Sequence, residues 1–270
     1  MRGHSTFVLV AMGFGFAFLY LPIALVVLYS FNDSRLVTVW GGFSLRWYGE
    51  LLRSGDVLDA AWLSVRIATA SATAATVLGT LAGFALARMG RFRGRALFTA
   101  MIAAPLVIPE VITGLSLLLL FVSMQQQLGW PSARGATTIA ISHVTFSTAY
   151  VAVIIRSRLA SMDATLEEAA MDLGGRPLRV LFDITLPVIS PAIVSGWLLA
   201  FTLSIDDLVI SSFVSGPGAT TLPMLIFSKV RLGVTPDVNA LATLVIALVA
   251  IGVVIAGFVL RRRAAAAERV

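Results

Sequence analysis

Phe7-Val-Leu-Val-Ala-Met-Gly-Phe-Gly-Phe-Ala-Phe-Leu-Tyr-Leu-Pro-Ile-Ala-Leu-Val-Val-Leu-Tyr-Ser-Phe31 runs for 25 residues without a charge. At 1.5 Å per residue a helix of that length reaches about 37 Å, enough to cross the roughly 30 Å of hydrocarbon in a bilayer. A surface helix of a soluble domain is apolar on one stripe; a helix apolar on every face is surrounded by lipid or by core. The stretch follows Arg2 and so has the outline of a secretory leader. It is too long for a leader's apolar segment, and no small-x-small cleavage site follows it, so an uncleaved first span is expected.

The rest of the chain has the same character. Of its 270 residues 58% are hydrophobic and only 13% charged, with a mean hydropathy of +0.94. Soluble domains hold about 45–50% apolar and about 25% charged residues, so a water-soluble globule is excluded. Further apolar runs lie at about 60–87, 96–122, 137–155, 188–213 and 239–260. None alternates with period two, which argues against a membrane barrel, and lipid offers backbone groups no partner outside a helix. The expected fold is therefore all-α and polytopic, a single transmembrane domain over 1–270 with six helices.

Six spans leave both ends on one side of the membrane. That side would hold 13 of the 20 basic residues: Arg2, Arg88, Arg91, Arg93, Arg95, Arg156, Arg158, Arg176, Arg179, Arg261, Arg262, Arg263 and Arg269. The opposite side would hold six: Arg35, Arg46, Arg53, Arg134, Lys229 and Arg231, with Arg66 left inside the second span. The excess of positive charge inside places both termini in the cytoplasm. Topology thus accounts for the net charge of +6 without nucleic acid as a partner. No cysteine and two histidines, His4 and His143, exclude a disulfide framework and leave too few ligands for an ordinary zinc or iron centre. No metal, cofactor or catalytic residue is expected.

The least apolar part, about 156–187, falls on the cytoplasmic side. Within it Asp163-Ala-Thr-Leu-Glu-Glu-Ala-Ala-Met-Asp-Leu-Gly174 reads as a short helix. Thr165 and Glu168 are spaced as a capping box, and Gly174 as a stop. On the outer side Gly216-Pro217-Gly218 marks a turn, followed by Leu222, Leu225, Ile226 and Val230 at helical spacing.

Glu168-Ala169-Ala170, three residues, Gly174, nine residues, then Ile184-x-Leu186-Pro187 resembles the EAA motif of the membrane subunits of binding-protein-dependent ABC importers. The likeness extends along nearly the whole chain. Pro105-Leu-Val-Ile-Pro-Glu-Val-Ile-Thr-Gly-Leu-Ser116, Asp206-Asp207, Ser215-Gly-Pro-Gly218 and Asn239-Ala-Leu-Ala-Thr243 resemble the polyamine branch. The resemblance implies the type I importer permease fold and a place in the bacterial inner membrane. It implies a second, homologous permease, two copies of an ATPase subunit and a periplasmic polyamine-binding protein as partners, with membrane lipid around the spans. Glu168, Ala169, Ala170, Gly174, Leu186 and Pro187 would then couple the chain to the ATPase. No G-x-x-x-x-G-K-[ST] loop occurs, so this chain would not itself hydrolyse ATP.

Three of the 14 acidic residues fall inside expected spans: Glu110, Asp206 and Asp207. An ionisable group there is costly and marks a pathway by default. Counting rises from the cytoplasmic boundary places Glu110 roughly 21 Å and Asp206 roughly 27 Å in, both in the outer half. Adjacent residues of a helix point about 100° apart, so Asp206 and Asp207 cannot both face one cavity: one would line the path and the other pair with a neighbour, for which Arg66 is a candidate. Structural readings stay open beside this one: Arg66 can snorkel, and the acids can be neutral by burial. His143, Thr145, Ser147 and Tyr150 offer either a polar face for substrate or bonds between helices. Pro105 and Pro109 should kink span three, and Trp40, Trp47, Tyr48 and Trp130 suit interface anchors. The resemblance implies polyamine import, putrescine first. A spermidine and putrescine permease is the alternative and, more remotely, a proton-coupled secondary transporter of organic cations.

Overall fold

The computed structural model describes residues 6–36, 39–163, 165–233 and 235–267, with 252–267 as backbone only. Arg2, His4 and Arg269 lie outside the described residues. The helices are α1 (Thr6–Tyr29), α2 (Arg46–Arg53), α3 (Gly55–Arg88), α4 (Arg95–Val107), α5 (Glu110–Leu128) and α6 (Ala136–Ser161). There follow α7 (Thr165–Asp172), α8 (Pro177–Val180), a π-helical turn (Leu181–Thr185), α9 (Leu186–Ile205), α10 (Val209–Val214), α11 (Leu222–Leu232) and α12 (Pro236–Ala267). Among the described residues extended pairing is limited to one bridge, Asn32 with Phe43. Among the described residues five helical stretches are long and apolar enough to cross a membrane: α1, α3, α5, α6 and Pro177–Ile205. α4 shares the third expected span with α5, and α12 carries the sixth.

Two expected spans are interrupted. The run 96–122 is not one kinked helix: α4 ends at Val107 and α5 begins at Glu110. Pro109 has no N–H to continue the ladder, and Ile108 before it is extended, at ψ 131°, as a residue preceding proline prefers. Pro105, by contrast, stays inside α4. The run 188–213 breaks at Asp206–Leu208, so the 100° separation expected on a continuous helix does not apply.

The chain forms two compact units, Asp59–Leu225 and the combination of Met1–Leu58 with Ile226–Val270. In the first, α6 is the axis, with buried side chains from Thr138 to Leu159. Ala72 and Ala75 of α3 and Ile189 and Ala200 of α9 pack with Val151, Ile155 and Leu159. Ile67, Phe121, Ile139, Phe146, Ile210 and Val214 form a second cluster. Lipid is as apolar as leucine, so such helices hold together by close contact rather than by escape from water. Gly79 and Gly83 show how close: a Cβ would lie 2.6 Å from Val151 Cβ at the first and 2.9 Å from the Ala152 carbonyl oxygen at the second.

In the other unit α1 and α2 each pack on α12. The segment after α1 folds around Asn32, whose Nδ2 donates to the Val39 carbonyl (2.8 Å) and whose Oδ1 accepts from Gly41 N–H (2.7 Å). Trp47 is buried and donates its indole N–H to the Asn32 carbonyl at 2.7 Å. It is therefore a core residue of this segment and not an interface anchor; its two-atom polar handle is used inward. Tyr48 likewise turns inward, its hydroxyl 2.6 Å from Ser30 Oγ, while Trp40 and Trp130 stay exposed.

Candidate functional site

Helix α7 forms where the sequence places it, and its stop is complete. Gly174 has φ +86°, its N–H donates to the Met171 carbonyl (2.9 Å), and Gly175 N–H reaches back to the Ala170 carbonyl (3.0 Å). These are the two bonds of a Schellman turn. Gly175 is as constrained as Gly174, because a Cβ on it would sit 2.6 Å from the Ala170 oxygen. The start differs from expectation. Thr165 is the first helical residue, and its N–H donates to the Asp163 carboxylate at 3.0 Å, so the cap is Asp163 in place of a Thr165–Glu168 box. An aspartate two residues ahead competes successfully because its short acid side chain reaches the first free N–H. Hydrogen bonds from Thr165, the backbone N–H foremost, hold the Asp163 carboxyl below its ordinary value. The support it gives α7 is therefore full at neutral pH and is lost as pH falls through that lowered value.

No residue of α7 is buried. Glu168 and Ala169 are exposed, and Leu166, Met171 and Leu173 present 50%, 44% and 91% of their surfaces. An eight-residue helix with an open apolar side is not stable alone in water. Leu186 and Pro187 carry the helix from the π turn into α9, with Thr185 and Leu186 already in the α conformation. Glu167, which precedes the motif, is the carboxylate that makes contacts: Oε2 pairs with Arg88 Nε at 2.8 Å, and Oε1 accepts from Thr185 Oγ1 at 2.7 Å.

The three acids expected within spans sit at the two helix breaks. Glu110 is the first residue of α5 and is exposed; Asp206 ends α9 and is exposed. Asp207 is enclosed. Its carboxylate accepts from Ile210 N–H (3.2 Å) and Ser211 N–H (2.7 Å), capping α10, and from His143 Nε2 (3.1 Å). Because the carboxylate only accepts, Nε2 carries the proton; in the neutral ring Nδ1 accepts from the Ser204 hydroxyl, 2.6 Å away. Ser71 of α3 lies 3.0 Å from that hydroxyl. The partner of the buried aspartate is thus His143 of α6 and not Arg66, which is exposed and makes no ion pair among the described residues. Thr145 bonds its own helix at Ile141, and Ser147 is buried.

Non-helical backbone at membrane depth is tolerated only where protein covers it or it lines a wet cavity. The breaks at Ile108–Pro109 and Asp206–Leu208 each carry an exposed carboxylate, Glu110 at the first and Asp206 at the second. Asp207 and His143 instead fix the geometry of the second break. Replacing His143 by Ala should lower the stability of the folded chain by about 1–3 kcal/mol, the cost of leaving buried polar groups unpaired. Thermal unfolding in detergent measures this.

Residues 75–266 match the family described as "Binding-protein-dependent transport system inner membrane component". Over 259 residues the chain is 61% identical to the "Putrescine transport system permease protein PotI" of Escherichia coli (strain K12), covering 96% of this chain and 92% of that protein. It is 44% identical over 247 residues to the "Spermidine/putrescine transport system permease protein PotC" of Haemophilus influenzae, covering 92% and 93%. Among solved structures, a bacterial ABC transporter involved in the import of the acidic polysaccharide alginate has the same fold. It matches with a TM-score of 0.72 at 17% identity, over 94% of this chain and 95% of the other.

Proposed function

Given that the chain belongs to the family of binding-protein-dependent transport system inner membrane components, we propose that it is one of two permease subunits of an ATP-driven polyamine importer, with putrescine as its cargo. Similarity to a putrescine permease from end to end is the observation that carries the substrate class. Two further features support the mechanism. α7 offers an exposed helix, stopped by a turn that only glycine adopts easily, for docking on an ATPase subunit. Carboxylates at two helix breaks offer a dication partial replacement for its hydration.

On this reading a periplasmic binding protein delivers polyamine to the outer segments, and ATP binding to two ATPase subunits draws the EAA helices together. This chain and a second permease then open outward, and hydrolysis resets them. Residues 1–270 act as one transmembrane domain, with 156–187 as the cytoplasmic coupling loop. Glu168, Ala169, Ala170, Gly174, Leu186 and Pro187 transmit the movement, and Asp206 and Glu110 line the path. Asp207 shapes that path from behind.

The test is uptake of labelled putrescine by the reconstituted complex, with spermidine and basic amino acids as competitors. Putrescine should enter only when ATP is supplied and should be displaced better by itself than by spermidine. Stronger displacement by spermidine would favour the second reading, a spermidine and putrescine permease, to which the PotC likeness points. The orientation is tested separately: tags after Val270 and within 156–187 should report cytoplasm, and one beside Arg134 the periplasm. A periplasmic carboxyl terminus would rule out the six-span arrangement.

A further inference from the structure

The α7 helix buries no side chain of its own, so packing does not fix it to the spans. Glu167 does. Its ion pair with Arg88 differs from the other arginine–carboxylate pairs among the described residues: the two side chains are 13% and 19% exposed, against 41% or more for every partner in the pairs of Arg46 with Asp33 and Glu50 and of Arg179 with Asp183. An exposed pair is screened and nearly neutral in effect, whereas a shielded one penalises loss of either partner. Arg88 ends α3 and Glu167 lies in the first turn of α7. A cation thus sits at a negative helix end and an anion at a positive one, which strengthens both.

The third member is Thr185. Thr145, Thr148 and Thr202 each donate to the carbonyl four residues back, the usual use of threonine in a helix. Thr185, buried, donates to Glu167 instead. It lies in the π turn Leu181–Thr185, whose extra residue re-aims the side chains that follow; such turns recur at functional positions. Both oxygens of Glu167 are therefore engaged, one by the end of α3 and one by the turn that feeds α9.

We propose that Arg88, Glu167 and Thr185 tie the first turn of α7 to α3 and α9, making Glu167 a positioning residue that passes movement of α7 to two spans at once. The Gly174–Gly175 turn fixes the other end of α7 to α8. Held at both ends, the helix moves the spans as it moves; released at the first, it swivels about the second. This rests on the reading of α7 as the ATPase-docking helix.

The chain has no cysteine, so spin labels can be placed uniquely, at Asp172 and Arg158, both exposed. In the reconstituted complex the distance distribution between them should be narrow for the native chain, broad for Glu167→Gln, and narrow again for Arg88→Lys, which keeps the charge pair. Putrescine imported per ATP hydrolysed should fall by roughly two- to thirtyfold in Glu167→Gln, the range found when a contact in a coupling network is removed. It should recover in part in the exchange Arg88→Glu with Glu167→Arg. An unchanged distribution, an unchanged import ratio, or an exchange no better than Glu167→Gln would overturn the tie. If the native complex imports no polyamine while the distribution still broadens, the tie stands and the polyamine reading falls.

Discussion

Asp206→Asn lowers ATP-driven polyamine uptake by about tenfold or more, while the chain still inserts and still retains its ATPase partner. A diamine carries two charges, and shedding water from either without replacement costs several kcal/mol. A fixed carboxylate at a helix break returns part of that, and each ~1.4 kcal/mol restored to the barrier slows passage by about a factor of ten. Asp206 is the carboxylate free to do so, being exposed and without an ion pair among the described residues. Glu110→Gln should act in the same direction but more weakly. Asp207→Asn should behave differently: it weakens the contact with His143 and the cap on α10, so thermal stability falls along with uptake. Normal uptake in Asp206→Asn, Glu110→Gln and the double aspartate variant would defeat a carboxylate path. Substrate capture by the separate binding protein should be unchanged throughout.

Gly174→Val abolishes import in a chain that still inserts normally. Gly174 holds φ +86°, a conformation that costs other L-residues roughly 1–2 kcal/mol and β-branched ones more. Valine there would unwind the turn that donates to Met171 and Ala170 and let the end of α7 fray. A graded series separates backbone conformation from bulk: Gly174→Asn, which tolerates positive φ, should retain more import than Gly174→Ala, and Gly174→Val least. Open space surrounds Gly174, so a Cβ meets no neighbour and the series reads conformation alone. Glu168→Lys, on the exposed side of α7, should reverse the charge of the docking surface and release the ATPase subunit, read as lost co-purification. Full assembly and import in both Gly174→Val and Glu168→Lys would return 156–187 to an ordinary solvated loop.

The spans were legible because lipid makes one demand of every residue facing it, and 7–31 or 137–155 answers by composition alone. The breaks were not equally legible. Pro109 announced a disturbance, yet whether a proline kinks a helix or ends it depends on what packs nearby. At Asp206–Leu208 the residues on both sides are as apolar as any span, and the only local signal was an aspartate three residues before Ile210, the spacing of a cap. Asp207 and His143 are 64 residues apart, and no spacing rule brings them together; their pairing depends on how α6, α9 and α10 pack. The EAA segment was readable to its glycine stop, since a Schellman turn is written in consecutive residues. Glu167 reads in the sequence as one of the carboxylates that α7 offers to a partner, and its inward pairing is not legible because its partners come from elsewhere: topology accounts for Arg88, and Thr185 carries no signal until a π turn aims it. Trp47 was misplaced for a related reason, as an aromatic beside an outer loop reads alike whether its indole faces lipid or the Asn32 carbonyl.

The most direct measurement is labelled putrescine uptake into vesicles holding the assembled complex and its binding protein, with ATP at the ATPase face and the proton gradient collapsed by an ionophore. Uptake should persist under those conditions, stop when ATP is withheld, and fall in Asp206→Asn and Gly174→Val. Uptake that follows an imposed proton gradient and ignores ATP would contradict a permease driven through α7 and make the chain a secondary transporter.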